Sequence, residues 1–267
     1  MVAAGPTGAV APADLREALR EDSVLVCLTH AQAEIGTVAD LGPLIAAARS
    51  TDARPTVHVD AALTTGLLDV DVTTLGADLV TVGAGPMGAP LWTGALWVSP
   101  ETRLHPLVEG GDQESGKRAG HVSLPGVVGL GAAADLAVRE RALRERILRE
   151  RTARLVSGLL TVDGVRLNGP PVEERLPGHV QVSVAGADSE SLTLMLAVRG
   201  VAASPGSACT GAGKSSPVLE AIGLEAPWVH SAVLFTMAST TTDHEIDTAI
   251  AAFADAVRAL RGMGVPG

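Results

Sequence analysis

The sequence predicts an α/β protein with a mainly parallel sheet in its first part and a smaller α+β unit at its C-terminal end. Two observations carry this. Short, uninterrupted apolar runs of strand length alternate with helical or loop segments through the first hundred or so residues, which is how strands of a parallel sheet covered on both faces read. From Gly126 the pattern changes to one long helix, and beyond it strands and helices alternate over shorter distances.

Ala11 to Arg20 reads as a short helix beginning at Pro12, and Ser23 to Thr29 (SVLVCLT) as a buried strand. Leu41 to Arg49 is a second helix, Thr56 to Asp60 (TVHVD) a second strand, and Asp78 to Val82 and Gly94 to Val98 complete the series. The long helix runs to about Leu160 with Leu136, Leu143, Ile147, Leu148 and Leu155 along an apolar stripe. Its seven arginines between Arg139 and Arg154 alternate with Glu140, Glu145 and Glu150, a spacing that suits a solvated helix face better than a nucleic-acid site. Strands follow at Val165 to Leu167, His179 to Val184 and Ala232 to Met237, with helices at Ser189 to Arg199 and Thr242 to Arg261. The expected domain boundary lies inside the long helix, giving residues 1–140 and 141–267.

The chain has 267 residues, 46% of them hydrophobic and 19% charged, so it has ample means to build a core and is not a disordered polymer. Aromatic residues make up 2% and tyrosine is absent, which leaves few platforms for stacking bases; a net charge of -10 also argues against nucleic acid as a partner. Two cysteines, Cys27 and Cys209, form neither a disulfide framework nor a metal motif, and no metal is expected. Met1 to Pro6 lacks the pattern of a secretory signal, and Asp, Arg, Gly or Pro interrupts every apolar run that could cross a bilayer. A cytoplasmic protein with free thiols and no membrane contact is the expectation.

The segment Ala203 to Ser215, ASPGSACTGAGKS, is the most informative. Small residues and glycines surround Cys209, which suits a thiol that must be reached by a reactant, whereas Cys27 in its apolar strand reads as a core residue. The GAGKS end is not a phosphate loop, because Ala208 stands where that motif needs a glycine. His30 and Glu34 are four apart but need not share a helix face, and His58, on the same strand face as Asp60, reads as a satisfied core histidine.

Four ordered segments resemble the cysteine desulfurases of the class V aminotransferases, which are pyridoxal phosphate enzymes. THAQAEIGTVADL (29–41) is similar to their H-x-N-N-E-I-G segment and VHVDA (57–61) to an H-V-D-A strand end. EGGDQESGKRAG (109–120) is similar to G-G-G-x-E-x-x-x-R-[SA]-G-T, and SPGSACTGAG (204–213) to the loop that bears a sulfur-accepting cysteine. The resemblance implies part of a class V aminotransferase large domain followed by the small C-terminal domain. It puts Asp60 at the aspartate that pairs with the cofactor's pyridine nitrogen and Cys209 at the persulfide carrier.

Several positions depart from the family's pattern. The S-G-H-K segment falls on Gly83, Ala84, Gly85 and Pro86, so proline stands where the family's lysine holds the cofactor covalently. The asparagine and glutamine that contact the cofactor ring fall at Ala33 and Leu63, the phosphate-contacting threonine at His121 and the arginine for the substrate carboxylate at Leu234. The resemblance further implies that about a third of a family member would precede Met1, with the phosphate-binding turn and the histidine that stacks on the ring. Without these groups, cofactor binding forfeits about 1.5–3 kcal/mol for each charge-assisted hydrogen bond, so no cofactor is expected from these residues and Asp60 is read as vestigial. Only Lys117 and Lys214 could replace the anchor, since the chain has no other lysine.

The sequence thus points to a sulfur-handling pseudoenzyme that accepts a persulfide at Cys209 and works as a homodimer, or as a heterodimer with a complete desulfurase, delivering sulfur to an acceptor protein. The alternatives are a non-catalytic binding subunit or gene fragment, and a pyridoxal phosphate-dependent desulfurase or aminotransferase with an unusual anchor.

Overall fold

The computed structural model describes residues 2–206 and 215–263. The chain divides into two compact units: Leu15–His30 with Asp40–Ala142, and Met1–Asp14 with Ala31–Ala39 and Leu143–Gly267. A single cut of the chain does not describe this division. The boundary at 142/143 does fall within the long helix, but residues 1–14 and 31–39 belong with the C-terminal unit.

The elements appear in the order α1 (Pro12–Ala18), β1 (Leu25–Thr29), α2 (Leu41–Arg49), β2 (Thr56–Asp60), α3 (Val72–Leu75), β3 (Leu79–Gly83), β4 (Gly94–Val98), α4 (Leu124–Leu159), β5 (Val165–Leu167), β6 (His179–Val184), α5 (Ser189–Val198), α6 (Pro217–Ala221), β7 (Ala232–Thr236) and α7 (Asp243–Gly262). Among the described residues no helix is long and apolar enough to cross a membrane.

In the N-terminal unit the sheet order is β1-β2-β3-β4, the first three strands parallel and β4 antiparallel to β3. Val26, Val57, Val59 and Val80 bury one face completely or nearly so. The other face differs from the expectation of a sheet covered on both sides. Leu25, Cys27 and Thr29 on β1 and Leu96 on β4 are exposed there, Leu25 at 51%. Cys27 is therefore a surface thiol and not a core residue. A continuous apolar run reports strand propensity, but it cannot report that β1 is an edge strand with one uncovered face. The first part of α4 turns small residues inward: Ala133 and Ala137 form a cluster with Ala84, Met87 and Ala89, and a β-carbon at Gly129 would lie 2.5 Å from Pro90 Cγ.

In the C-terminal unit β5, β6 and β7 form an antiparallel sheet. Its core joins Val180, Val182, Val184, Val233 and Phe235 to Leu155 and Leu159 of α4, Leu192 and Leu196 of α5, and Phe253 and Val257 of α7. Phe235 and Phe253 meet edge to face with centroids 6.1 Å apart. A capping box of Thr242 and Glu245 starts α7.

The expected stripe of α4 is buried only in its last turns. Leu148 and Leu155 are buried, whereas Leu136 and Leu143 are exposed. The arginine run is likewise not wholly solvated. Arg149 pairs with Glu145 one turn away, but Arg154 reaches both carboxylate oxygens of Asp247 on α7 (2.9 and 2.7 Å) and Arg151 donates to the Ser239 carbonyl at 2.7 Å.

Candidate functional site

Two groups of residues, one in each unit, gather the positions singled out by the sequence. In the N-terminal unit they lie at the carboxyl ends of the parallel strands, where open α/β sheets bind ligands. Asp60 ends β2, half-buried between Thr29 and Thr81 in register, and its Oδ1 accepts the Ala62 N–H at 3.0 Å. His30 follows β1. Its backbone N–H donates to the Asp60 carbonyl at 2.9 Å, and its Nδ1 lies 2.8 Å from Thr64 Oγ1 in the interior. His58 Nε2 lies 2.8 Å from Thr81 Oγ1, but the residue is only half-buried, on the open face of the sheet, and is not the core histidine expected.

Gly83 ends β3 against the chain that follows Asp60. A β-carbon there would collide with the Ala62 carbonyl oxygen and lie 2.9 Å from both the carbonyl carbon and Cα of Ala62. Backbone cannot yield as a flexible side chain can, so Gly83→Ala is expected to destabilise the protein by about 1–3 kcal/mol. An unchanged thermal midpoint would show that this approach is not tight.

The chain then turns through Ala84, Gly85 and Pro86, beneath the small residues of α4. Pro86 carries no amine, Ala33 and Leu63 carry no polar side-chain group, and Leu234 is buried in β7 without a charge. These residues do not fit pyridoxal phosphate held through a lysine. Lys117 is exposed in a turn; Lys214 lies outside the described residues.

Cys209 also lies outside the described residues, but both stems of its segment are described and belong to the C-terminal unit. On the outgoing side Ser204 pairs with Leu234 through two backbone hydrogen bonds (3.0 and 2.7 Å), and its Oγ accepts the Gly206 N–H at 3.1 Å. On the returning side Ser216 caps α6, its Oγ accepting from the N–H groups of Val218 and Leu219 and donating to Glu34 Oε2 at 2.6 Å.

Glu34 is held in turn by the motif around it. Gln32 Oε1 accepts the N–H groups of Glu34 and Ile35 at 2.6 and 2.9 Å. Ile35 is fully buried with Leu219, Ile222, Leu224, Val229 and Ala232, and Gly36, at φ +73°, leaves room for the His179 ring. His30 and Glu34 thus serve separate partners. Among the described residues no group of three His, Cys, Asp or Glu side chains could hold a metal ion.

Sequence reasoning weighed Glu34 only against His30, and passed over Gln181 and Arg175. Gln181 is a polar side chain in β6, a strand whose six residues are all buried, and that mismatch was its available signal. Arg175 is buried with no carboxylate partner among the described residues, donating to the carbonyls of Asn168, Pro170 and His179; burial pushes its guanidinium down to about 10.

Burial also lowers the pKa of both His30 and His179, the latter despite a 2.6 Å contact between its Nε2 and the Ala33 carbonyl. Both rings take up a proton less readily in the fold than in the unfolded chain, whose imidazoles protonate below about pH 6.5. Stability is therefore full above that pH and falls as pH drops toward the folded values. In His179→Gln the thermal midpoint is expected to fall less between about pH 7.5 and pH 5.5 than in the wild type. Equal falls would remove His179 as a contributor.

Comparison with known proteins bears on these residues. The class V aminotransferase family model matches residues 1–248. A cysteine desulfurase IscS 1 from Archaeoglobus fulgidus is 35% identical over 250 residues, 93% of this chain and 64% of that protein. A cysteine desulfurase IscS from Anaeromyxobacter dehalogenans is 39% identical over 260 residues, 96% of this chain and 63% of that protein. The chain thus spans just under two thirds of the length of these curated relatives. Among solved structures, a NifS-like protein superposes with a TM-score of 0.89 at 25% identity, covering 97% of this chain and 67% of that one. DndA from Streptomyces lividans superposes at 0.72 with 26% identity, over 89% and 67% respectively.

Proposed function

The chain belongs to the class V aminotransferases, among the cysteine desulfurase-like proteins, and on that premise we propose that it handles sulfur at Cys209 without cofactor turnover of its own. The supporting observation is a contrast: the cysteine segment keeps its motif and its stems are tied into the C-terminal unit, while Pro86 stands at the family's lysine position.

The reaction is a thiol exchange. The Cys209 thiolate attacks the outer sulfur of a donor persulfide, RS–SH; the new S–S bond forms on Cys209 as the donor's S–S bond breaks, and the electron pair leaves with RS⁻. No oxidant or reductant is consumed. Transfer to an acceptor thiol repeats the same exchange. Cysteine itself is not the donor in this reading, because releasing its sulfur requires cleavage of a C–S bond, for which the described residues offer no electron sink.

The proposal includes a partner, either a second copy or a complete desulfurase, in a reducing compartment such as the cytoplasm. Exposed apolar residues in the N-terminal unit support it: Leu91, Trp92, Leu107, Leu124 and Val128 all face solvent, Trp92 completely. Treating the protein with a small-molecule persulfide and mapping peptides by mass spectrometry tests the sulfur step. One added sulfur atom on Cys209 is the expected result; an unmodified Cys209 would contradict it.

A further inference from the structure

The edge of the C-terminal sheet carries a ladder that stops after one rung. Along β6 and β7 the hydrogen bonds alternate between bonded and non-bonded pairs. Met237 N–H donates to the Gly178 carbonyl at 2.8 Å. His179, opposite Thr236, commits its own N–H to the Leu176 carbonyl and its carbonyl to Arg175 Nη1, both at 3.2 Å. The main-chain groups of Leu234 and Thr236 therefore point away from β6. Leu234 meets Ser204 there through two hydrogen bonds. Two residues further on, Thr236 would meet Ala202 in the same register, but no bridge forms. Among the described residues neither the N–H nor the carbonyl of Thr236 has a hydrogen-bond partner.

Where the two segments part there is a cavity of about 400 Å³, lined by both Ala202 and Thr236 and lying wholly within the C-terminal unit. Its apolar lining comes from buried Leu155, Phe235 and Ile246 and from half-buried Val201, Met237 and Ala249. An apolar cavity of this size with a few orienting polar groups has the make-up of a ligand site. Side chains alternate along β7, so a chain paired with Thr236 would send its next side chain to the face of Phe235 and Met237, where the apolar lining is. No lysine or arginine lines the cavity, and its carboxylate, Glu245, is held by the Thr242 N–H and hydroxyl at 2.6 and 2.8 Å.

We propose that this cavity binds an uncharged, extended peptide segment of a partner protein. The segment's main chain continues the interrupted ladder on Thr236, and its neighbouring aliphatic side chain fills the cavity. Thr236 offers one donor and one acceptor, which a peptide main chain matches and a hydrocarbon does not. The side chain gains by leaving water. Without a lysine or arginine beside it, the site favours an internal segment over a free amino acid or a chain end. The inference stands apart from sulfur transfer at Cys209.

NMR titration of the intact chain with N-acetyl-alanyl-leucine N-methylamide tests it, and saturable movement of the Thr236 amide signal is the expected result. Exchanging the peptide's leucine for glycine is expected to weaken binding about tenfold or more, because the buried side chain is lost. Methylating the alanine nitrogen removes the donor to the Thr236 carbonyl and should weaken binding about fivefold. Unblocked alanyl-leucine, charged at both ends, should also bind more weakly than the blocked peptide.

Ala249→Phe, which fills the cavity, should abolish the movement. If that variant fails to fold, Ala202→Phe, at an exposed lining position, takes its place with the same expectation. A Thr236 signal that stays fixed, equal affinity for the blocked peptide and any of the three altered ones, or wild-type binding by a folded, cavity-filled variant would overturn the proposal.

Discussion

Cys209→Ser is expected to abolish sulfur uptake from a persulfide donor, while Cys27→Ser leaves it intact. The two cysteines differ in kind. Cys27 lies on the exposed face of β1, in register with His58 of β2, in a strand held by regular parallel pairing. Nothing around it forms a loop that could carry sulfur to a second protein. Cys209 lies in a glycine-rich segment whose ends are fixed by Ser204 pairing with Leu234 and by Ser216 bound to Glu34. Serine keeps the shape of the side chain but supplies no thiolate, so the loss should be complete and without a change in thermal midpoint. Equal sulfur uptake by both variants would assign the chemistry to non-specific thiol exchange. Uptake lost only in Cys27→Ser would move the site to the open sheet face.

The second large effect concerns the cofactor. After incubation with pyridoxal phosphate and reduction with borohydride, peptide mapping is expected to find no lysine of the chain stoichiometrically labelled. Gly83 and Pro86 shape this outcome together. Gly83 brings the end of β3 against the Ala62 backbone just past Asp60, so the turn at 84–86 begins beside the aspartate, but its last residue has no amine to offer. Asp60 alone supplies one hydrogen-bond partner, about 1.5–3 kcal/mol for a charged group, which is far less than a covalent anchor with a phosphate cradle. Stoichiometric label at Lys117 or at Lys214 would contradict this account and revive an enzyme with an unusual anchor. Mutation of the labelled lysine would then identify it.

Much of the fold was legible because the elements of the C-terminal unit are regular and well capped. The strands His179–Val184 and Val165–Leu167 and the helix expected over Thr242 to Arg261 lie where the sequence puts them, and the structure shows that last helix held at its start by Thr242 and Glu245. What escaped was information that chain-local patterns do not hold. The exposure of Cys27 follows from the uncovered face of the sheet on which its side chain lies, a fact about neighbours: Val26, next to it on the other face of β1, is buried. The inclusion of residues 31–39 in the C-terminal unit follows from Ile35 packing on Leu219 and Ile222 and from His179 meeting the Ala33 carbonyl, contacts that span well over a hundred residues of chain.

A motif names a reactive atom at Asp60, which stands at the end of β2, and at Cys209, which lies outside the described residues; the rest of the candidate site has no such label. It was illegible where the role is support. Glu34 is visible as a letter of A-E-I-G, but its acceptor role depends on Ser216, 182 positions further along the chain.

The most direct test of sulfur handling without cofactor turnover supplies labelled sulfur to the wild-type protein in two forms, as free cysteine with added pyridoxal phosphate and as a small persulfide, and follows the label to Cys209. Label from the persulfide and none from cysteine is the predicted result. Label on Cys209 from cysteine, with release of alanine, would show that the chain performs the desulfurase reaction itself and would contradict the central claim.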